Sequence, residues 1–379
     1  MRYILDMATL RGTFALATAL CSGVVALFPV PAARAQSFDL VGFPDPNRMG
    51  RTYAISSDGR VAAGGLSVSG AGYTWTRANG MDAFGLLPGM PGTSQALAIS
   101  GDARYVGGFA GPQAYRYRVG DAALQMLGFL PGYATTQTFG LSGDGEIVVG
   151  RAVPFSSDAV GQAFRWTEST GLVGLGYARP DHFYSEAAAI SRDGTTIVGH
   201  GRGSAGRNEA FVWRTDIGMV PLPGLDATND ARAFGVNFDG SIIVGNALVG
   251  HRVATMWVNG VPMSLGLATG FGRSQALAVN DDGTVVVGHV DAPNQTAAVW
   301  TPSRGMEPLS AYLAFHGVQV PAGINLITCT AVSADGMTIV GYTGLPGQVR
   351  DGFVATIPAP GVLCTFIVGF VASSRRRQR

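Results

Sequence analysis

Lysine is missing from this chain: all 26 of its basic side chains are arginine, and charged residues make up only 13% of the 379 positions. Most of the positive charge sits at the ends. Between residues 36 and 357 there are 19 arginines against 24 aspartates and glutamates, a net charge of −5; a mildly acidic region is a poor nucleic-acid binder, and no nucleic-acid partner is expected. Cysteine is equally sparse. Of Cys21, Cys329 and Cys364, two fall in the terminal segments, which leaves Cys329 alone in the central region and rules out a disulfide there. Cys329 stands where other repeats carry Thr or Ala, and so reads as a small buried residue. The chain has no Cys-x-x-Cys, His-Glu-x-x-His or Gly-x-Ser-x-Gly motif, and its five histidines, His182, His200, His251, His289 and His316, lack ligand spacing. No metal or cofactor is therefore expected. Gly201 to Gly206 has the spacing of a dinucleotide fingerprint, but it joins two predicted strands and opens no helix, so the phosphate role fails.

What is abundant is glycine, 55 residues, beside a hydrophobic content of 47%. That combination implies many turns around an ample core and excludes disorder. The glycines follow a pattern. A small residue, an aliphatic, Ser or Asn, any residue, Asp, and then a β-branched run closing on Gly recurs seven times. Its aspartates are Asp58, Asp102, Asp144, Asp193, Asp239, Asp282 and Asp335, with steps of 44, 42, 49, 46, 43 and 53 residues. Such a period marks an array of equivalent supersecondary units. Six positions after each Asp stands Gly64, Gly108, Gly150, Gly199, Gly245, Gly288 or Gly341. An aromatic strand follows, as in Tyr73-x-Trp75 and Phe164-x-Trp166, and then a segment such as Met81 to Gly89. Each unit thus predicts four strands, with the Asp in a hairpin turn where its carboxylate bonds the local backbone. One Asp per turn is too few oxygens for a calcium loop, so these seven residues are structural.

Counting separates a closed ring from a linear β stack. The last unit lacks its fourth strand, while Phe38 to Phe43, ahead of the first unit, resembles one. An N-terminal strand that completes the C-terminal unit is what ring closure needs, because closure protects strand edges. Residues 36–357 are accordingly predicted to form an all-β, seven-bladed propeller of four-stranded antiparallel blades, closed by the N-terminal strand.

The topology also predicts a face. Seven residues before each Asp, at the start of the innermost strand, stand Arg51, Gln95, Gln137, Glu186, Arg232, Gln275 and Thr328, all polar. Seven after it come Gly65, Phe109, Arg151, His200, Asn246, His289 and Tyr342, the least repetitive column. Both columns belong to the rim opposite the Asp turns, which also carries the longest insertion, about Ser310 to Leu326. A solvated rim is polar in any case. Arg forks and amides nonetheless suit hydroxyl and carboxylate recognition, which makes Arg51, Gln95, Gln137, Glu186, Arg232 and Gln275, with Arg151, His200 and His289, the candidate ligand-binding residues. No catalytic set accompanies them.

Both ends of the chain read as addresses. Arg2 and Arg11 precede an apolar stretch from Thr13 to Val30, and Ala33-Arg34-Ala35 supplies a small-x-small cleavage site, so residues 1–35 have the form of a secretory signal. At the other end, residues 358–379 run from Pro358-Ala359-Pro360-Gly361 through apolar Val362 to Ala372 into Arg375, Arg376, Arg377 and Arg379. That order of parts is the one a transient inner-membrane anchor would have, its arginines held inside. The tail resembles a PEP-CTERM sorting signal, with Ala359 where the family motif has Glu. The resemblance implies processing by an exosortase-type enzyme, with Pro358, Pro360, Arg375, Arg376 and Arg377 as the sorting residues. The repeats resemble the HAF family of bacterial extracellular repeats, the counterparts of its motif being pairs such as Ala163-Phe164 and Ala210-Phe211. That likeness implies an extracellular array and no particular activity.

The expectation is an exported, cell-surface or matrix, non-catalytic binding module for a polar ligand, a polysaccharide or a surface protein. Two alternatives are a structural envelope or biofilm component and a propeller lyase or hydrolase, in which His200 and His289 would be acid or base.

Overall fold

The computed structural model describes residues 36–42, 50–66, 70–84, 94–155, 160–291, 294–344 and 351–358. These form seven four-stranded antiparallel sheets, and the architecture is a seven-bladed β-propeller. Blades 1 to 6 take their strands in chain order from residues 50–84, 94–126, 135–174, 182–221, 231–266 and 273–308. Blade 7 has Asn325–Val332, Thr338–Gly344 and Gly352–Thr356, and its outermost strand is Ser37–Leu40, paired from Ser37↔Thr356 to Leu40↔Phe353. The ring is thus closed by the start of the chain. Phe38 stacks on Phe353 with ring centroids 5.6 Å apart. Arg77 of blade 1 clasps Asp39 at 2.7 Å and reaches Thr356 at 3.3 Å.

The core is divided among the seven interfaces between blades. One cluster joins Ala54 and Ala63 of blade 1 to Val106 and Tyr115 of blade 2, another joins Val340 and Val354 of blade 7 to Ile55 and Tyr73 of blade 1, and the remaining interfaces follow suit. The second strand of each blade is covered on both sides, which is why its residues are apolar at consecutive positions: Val148 and Val149, or Ile197 and Val198, are fully buried.

The repeated Gly has a steric cause. In every blade a Cβ added there would overlap the carbonyl oxygen of the residue seven before the Asp, as at Gly150 against Gln137 and Gly245 against Arg232. In five blades the aromatic of the third strand lies opposite this Gly, for example Tyr73 opposite Gly64 and Phe211 opposite Gly199; blades 5 and 6 place Thr255 and Ala298 there.

The Asp turns share one construction. In all seven, the carboxylate accepts the backbone N–H two residues on, and in five the preceding Ser donates to it at 2.5 to 2.7 Å. The next residue has positive φ and is Gly in six turns; in blade 2 Ala103 adopts φ 62°.

The sequence reading contained no helix. The insertion after blade 6 forms one, Leu309–Phe315, whose Leu309, Tyr312 and Leu313 are buried against the blade 6 and blade 7 core. Cys329 is fully buried in that core, and burial pushes its thiol pKa up. Among the described residues no helix is long and apolar enough to cross a membrane. The two terminal address segments lie outside the described residues, apart from Pro358.

Candidate functional site

The seven innermost strands touch one another in succession around a central channel. Strand geometry alternates side chains between faces, and every one of these strands interrupts the alternation at the same place. The register slips between Thr52 and Ala54, Ala96 and Ala98, Thr138 and Gly140, Ala187 and Ala189, Ala233 and Gly235, Ala276 and Ala278, and Cys329 and Ala331. Each slip leaves one residue extra, a β-bulge that re-aims a side chain. The extra residues are Tyr53, Leu97, Phe139, Ala188, Phe234, Leu277 and Thr330, and all seven line a channel cavity of about 460 Å³. The throat is therefore mostly apolar, which the polar column at its mouth did not foretell.

The two ends of the channel differ. At the Asp-turn end, backbone hydrogen bonds run from turn to turn: Ser57 to Gly101, Asp102 to Gly143, Gly143 to Arg192, Asp193 to Phe238, Asp281 to Ala334, and Ala334 back to Ser57. The Asn237 side chain bridges blade 5 to the Asp281 carbonyl at 3.1 Å, so the belt is continuous. Across it, the Arg192 guanidinium pairs with the Asp281 carboxylate from blade 4 to blade 6.

At the opposite end, the two polar columns face each other. Arg51 pairs with Gly65, Gln95 with Phe109, Gln137 with Arg151, Glu186 with His200, Arg232 with Asn246, Gln275 with His289, and Thr328 with Tyr342. The structure distributes the nine candidate residues over several groups. The Arg51 guanidinium lies over the Tyr342 ring at 5.1 Å, and Gln95 accepts from the Tyr53 hydroxyl at 3.4 Å. Gln275 accepts from Asn246 at 2.9 Å. His289 Nδ1 lies 2.9 Å from the Thr328 hydroxyl, and burial lowers its pKa.

The largest group spans blades 3 to 5. Arg151 donates to Gln137 at 3.1 Å and to the Tyr184 hydroxyl at 2.8 Å, and pairs with Glu186 at 3.1 Å. Tyr184 in turn donates to Glu186 at 2.6 Å. Beside them Glu186, His200 and Arg232, with Tyr184, Arg202, Asn208 and Phe234, line a pocket of about 360 Å³. Glu186 and Phe234 also line the channel, so pocket and throat share a wall. His200 is only 7% exposed and its Nδ1 has no hydrogen-bond partner; Arg232 Nε is likewise buried without one. Burial, reinforced by Arg232, Arg151 and Arg252 against the opposing pull of Glu186, lowers the His200 pKa to about 4. Burial and the neighbouring Arg252 lower that of Arg232. Arg252 spends its own charge on Asn246 at 3.0 Å and Asp230 at 3.8 Å.

Tyr184, Arg202, Asn208 and Phe234 are not among the sequence candidates, although Arg202 and Asn208 lie in the variable rim segment from His200 to Asn208. Phe234 belongs to the bulge column, which is aromatic or aliphatic in six of seven units, a pattern that strand alternation does not mark as a bulge. The other three sit at the outer ends of the blade 4 strands, where the pairing Tyr184↔Arg202↔Asn208 is matched in blade 6 by Arg273↔Asp291↔Gln295, so the positions repeat but the residue types do not. Among the described residues no group of three or more His, Cys, Asp or Glu is placed to hold a metal ion.

No protein-family model matches the chain, and no curated protein matches it in sequence. Solved structures do resemble it. An oligogalacturonate lyase from Vibrio parahaemolyticus superposes with a TM-score of 0.59 at 15% identity, covering 85% of this chain and 93% of the lyase. A chain of the mitotic checkpoint complex gives 0.52 at 14% identity, covering 92% and 99%. A prolyl endopeptidase gives 0.55 at 11% identity and covers 85% of this chain but only 51% of its own, so the propeller spans about half that protein's length. The likeness is one of fold. The resembling proteins include enzymes, and a fold shared across such different roles does not fix a function.

Proposed function

We propose that this chain is an exported, non-catalytic binding module of the cell surface or extracellular matrix, which takes a polar ligand, a glycan or a surface protein, at the channel mouth opposite the Asp turns. The observation that carries this reading is the pair of buried, unsatisfied nitrogens, Arg232 Nε and His200 Nδ1, beside a pocket at that mouth. Buried polar groups are almost always hydrogen-bonded, and leaving one unpaired costs about 1–3 kcal/mol. A ligand that satisfies them recovers that cost. Export and sorting rest on the signal-like N-terminus and the PEP-CTERM-like tail, the latter implying an exosortase-type partner and a transient membrane anchor.

The test is a thermal-shift titration of the full chain with neutral and acidic glycans, since a ligand selective for the folded state raises its apparent stability. The reading expects a saturable shift that is lost in the Arg51→Gln, Arg232→Gln double variant. An absence of any shift would favour a structural envelope role and move the search to protein partners at the cell surface. A catalytic role would use His200 or His289 as acid or base, and the same mixtures are therefore also assayed for shortened or unsaturated products.

A further inference from the structure

Resting on that binding reading, we propose that the ligand is a sugar acid and that its carboxylate is anchored in the pocket between blades 4 and 5 by Arg232 and Arg202. The argument starts from charge. Around this pocket, Arg151 is paired with Glu186 and Arg252 reaches Asp230. Arg202 and Arg232 line the pocket, and among the described residues no acid forms an ion pair with either. Two arginines without an ion-pair partner on one pocket wall, against the single lining carboxylate of Glu186, which Arg151 already pairs, give the pocket an excess of positive charge in a domain whose net charge is −5. Guanidinium forks match a planar carboxylate, and such charge-assisted bonds are the strong ones.

The second observation is His200. Its ring is 93% buried by complement of its 7% exposure, it lines the same pocket, and Nδ1 has no partner. In the tautomer that carries its proton on Nδ1, the neutral imidazole offers a further donor to an anion. The rest of the wall specifies the body attached to that anion. Glu186 and Asn208 present acceptors, and in Asn208 also donors, for hydroxyl groups. The Tyr184 and Phe234 rings give flat apolar surface for the C–H face of a pyranose. A dianion such as a phosphate ester is disfavoured by the Glu186 carboxylate in the same wall. At about 360 Å³ the pocket is at the small end of the range of roughly 300–1,000 Å³ for ligand sites, which fits one or two sugar units with the chain continuing out over the rim.

The experiment is calorimetric titration of the full chain with an oligouronate series, the same oligomers with carboxyl groups reduced to alcohols, a sugar phosphate and an oligoglutamate peptide. The proposal expects the oligouronate to bind at least about tenfold more tightly than its reduced counterpart, with the preference shrinking as salt rises. Arg232→Gln should weaken oligouronate binding by about tenfold to a hundredfold, the range for a hydrogen bond to a charged group, and leave the reduced oligomer nearly unaffected. Arg202→Gln, at an exposed position that does not endanger folding, should do the same to a smaller degree. Arg118→Gln, on the exposed end of a blade 2 strand, is the control for lost charge in general and should change nothing. Equal affinity for acid and reduced oligomers, or equal losses for both in the two pocket variants, would overturn the carboxylate assignment while the binding reading stood. Tighter binding of the sugar phosphate or the peptide would overturn the sugar-acid assignment. Binding of no glycan at all would overturn the sugar-acid assignment and leave a surface protein as the ligand of the broader binding reading.

Discussion

His200 should make the stability of this propeller depend on pH in a way that one substitution removes. In the unfolded chain its imidazole titrates near 6.5; in the folded one, burial lowers that to about 4. Between those values the unfolded state binds a proton that the folded state refuses, so stability falls as pH drops from 6.5 towards 4 and is fully present above 6.5. At ~1.4 kcal/mol per unit, the loss across the window is about 3 kcal/mol. The ring is almost entirely buried, so solvent screening takes little from this figure. Asp351 works in the opposite direction: burial raises its pKa to about 6, and it favours the folded state at low pH and loses that contribution as pH rises through 3.8 to 6. That contribution is common to wild type and variant and drops out of their difference. Urea unfolding of the wild type and His200→Gln at intervals from pH 7.5 to 4 measures the effect. The wild type should lose about 3 kcal/mol more than the variant over that range. Parallel curves would refute the reasoning, because they would mean that the folded imidazole is as accessible to protons as the unfolded one.

Two further predictions concern the frame. Gly245→Ala should cost at least about 3 kcal/mol or prevent folding, since its Cβ would meet the Arg232 carbonyl and only a shift of the innermost strand relieves that; Gly171→Ala, with φ 64° and open space around it, should cost about 1–2 kcal/mol from backbone strain alone. Equal costs in thermal unfolding would show that sterics are not what holds the repeated Gly. Phe38→Ala, which removes the ring stacked on Phe353 but leaves the closing strand's backbone pairing intact, should destabilise the ring by about 2 kcal/mol, less than for a fully buried Phe because Phe38 is half-buried; an unchanged midpoint in urea would mean that backbone pairing alone seals blade 7.

The fold was legible because its signal is written seven times over. Asp58 and Asp335 sit in the same turn, Gly64 and Gly341 meet the same carbonyl, and a missing fourth strand at one end matched a spare one at the other. The functional pocket was only partly legible, for the opposite reason. Glu186, His200 and Arg232 occupy repeat columns and could be named, but alternation alone does not reveal a bulge, so Phe234 and its six equivalents were not seen as a throat. Tyr184, Arg202 and Asn208 sit at strand ends whose blade 6 equivalents are Arg273, Asp291 and Gln295, positions that recur in place but not in residue type. The helix Leu309–Phe315 carries buried Leu309, Tyr312 and Leu313 at helical spacing, a signal too short to stand out beside strands. In an array, specificity resides where the copies differ, and those positions carry the least pattern.

The closing strand also has a consequence in time. Phe38 is made some 315 residues before Phe353, on whose ring it stacks. At synthesis rates of about 5–20 residues per second, the first strand waits roughly 15 to 60 seconds for the last blade to emerge. An unpaired strand left that long invites association with any other open edge. Its four residues, Ser-Phe-Asp-Leu, are short and alternate polar with apolar, which limits what it can capture while it waits. Blade 7 cannot be completed until Gly352–Thr356 has been released, so the ring's assembly clock is set by its slowest arrival rather than by the folding of any single blade.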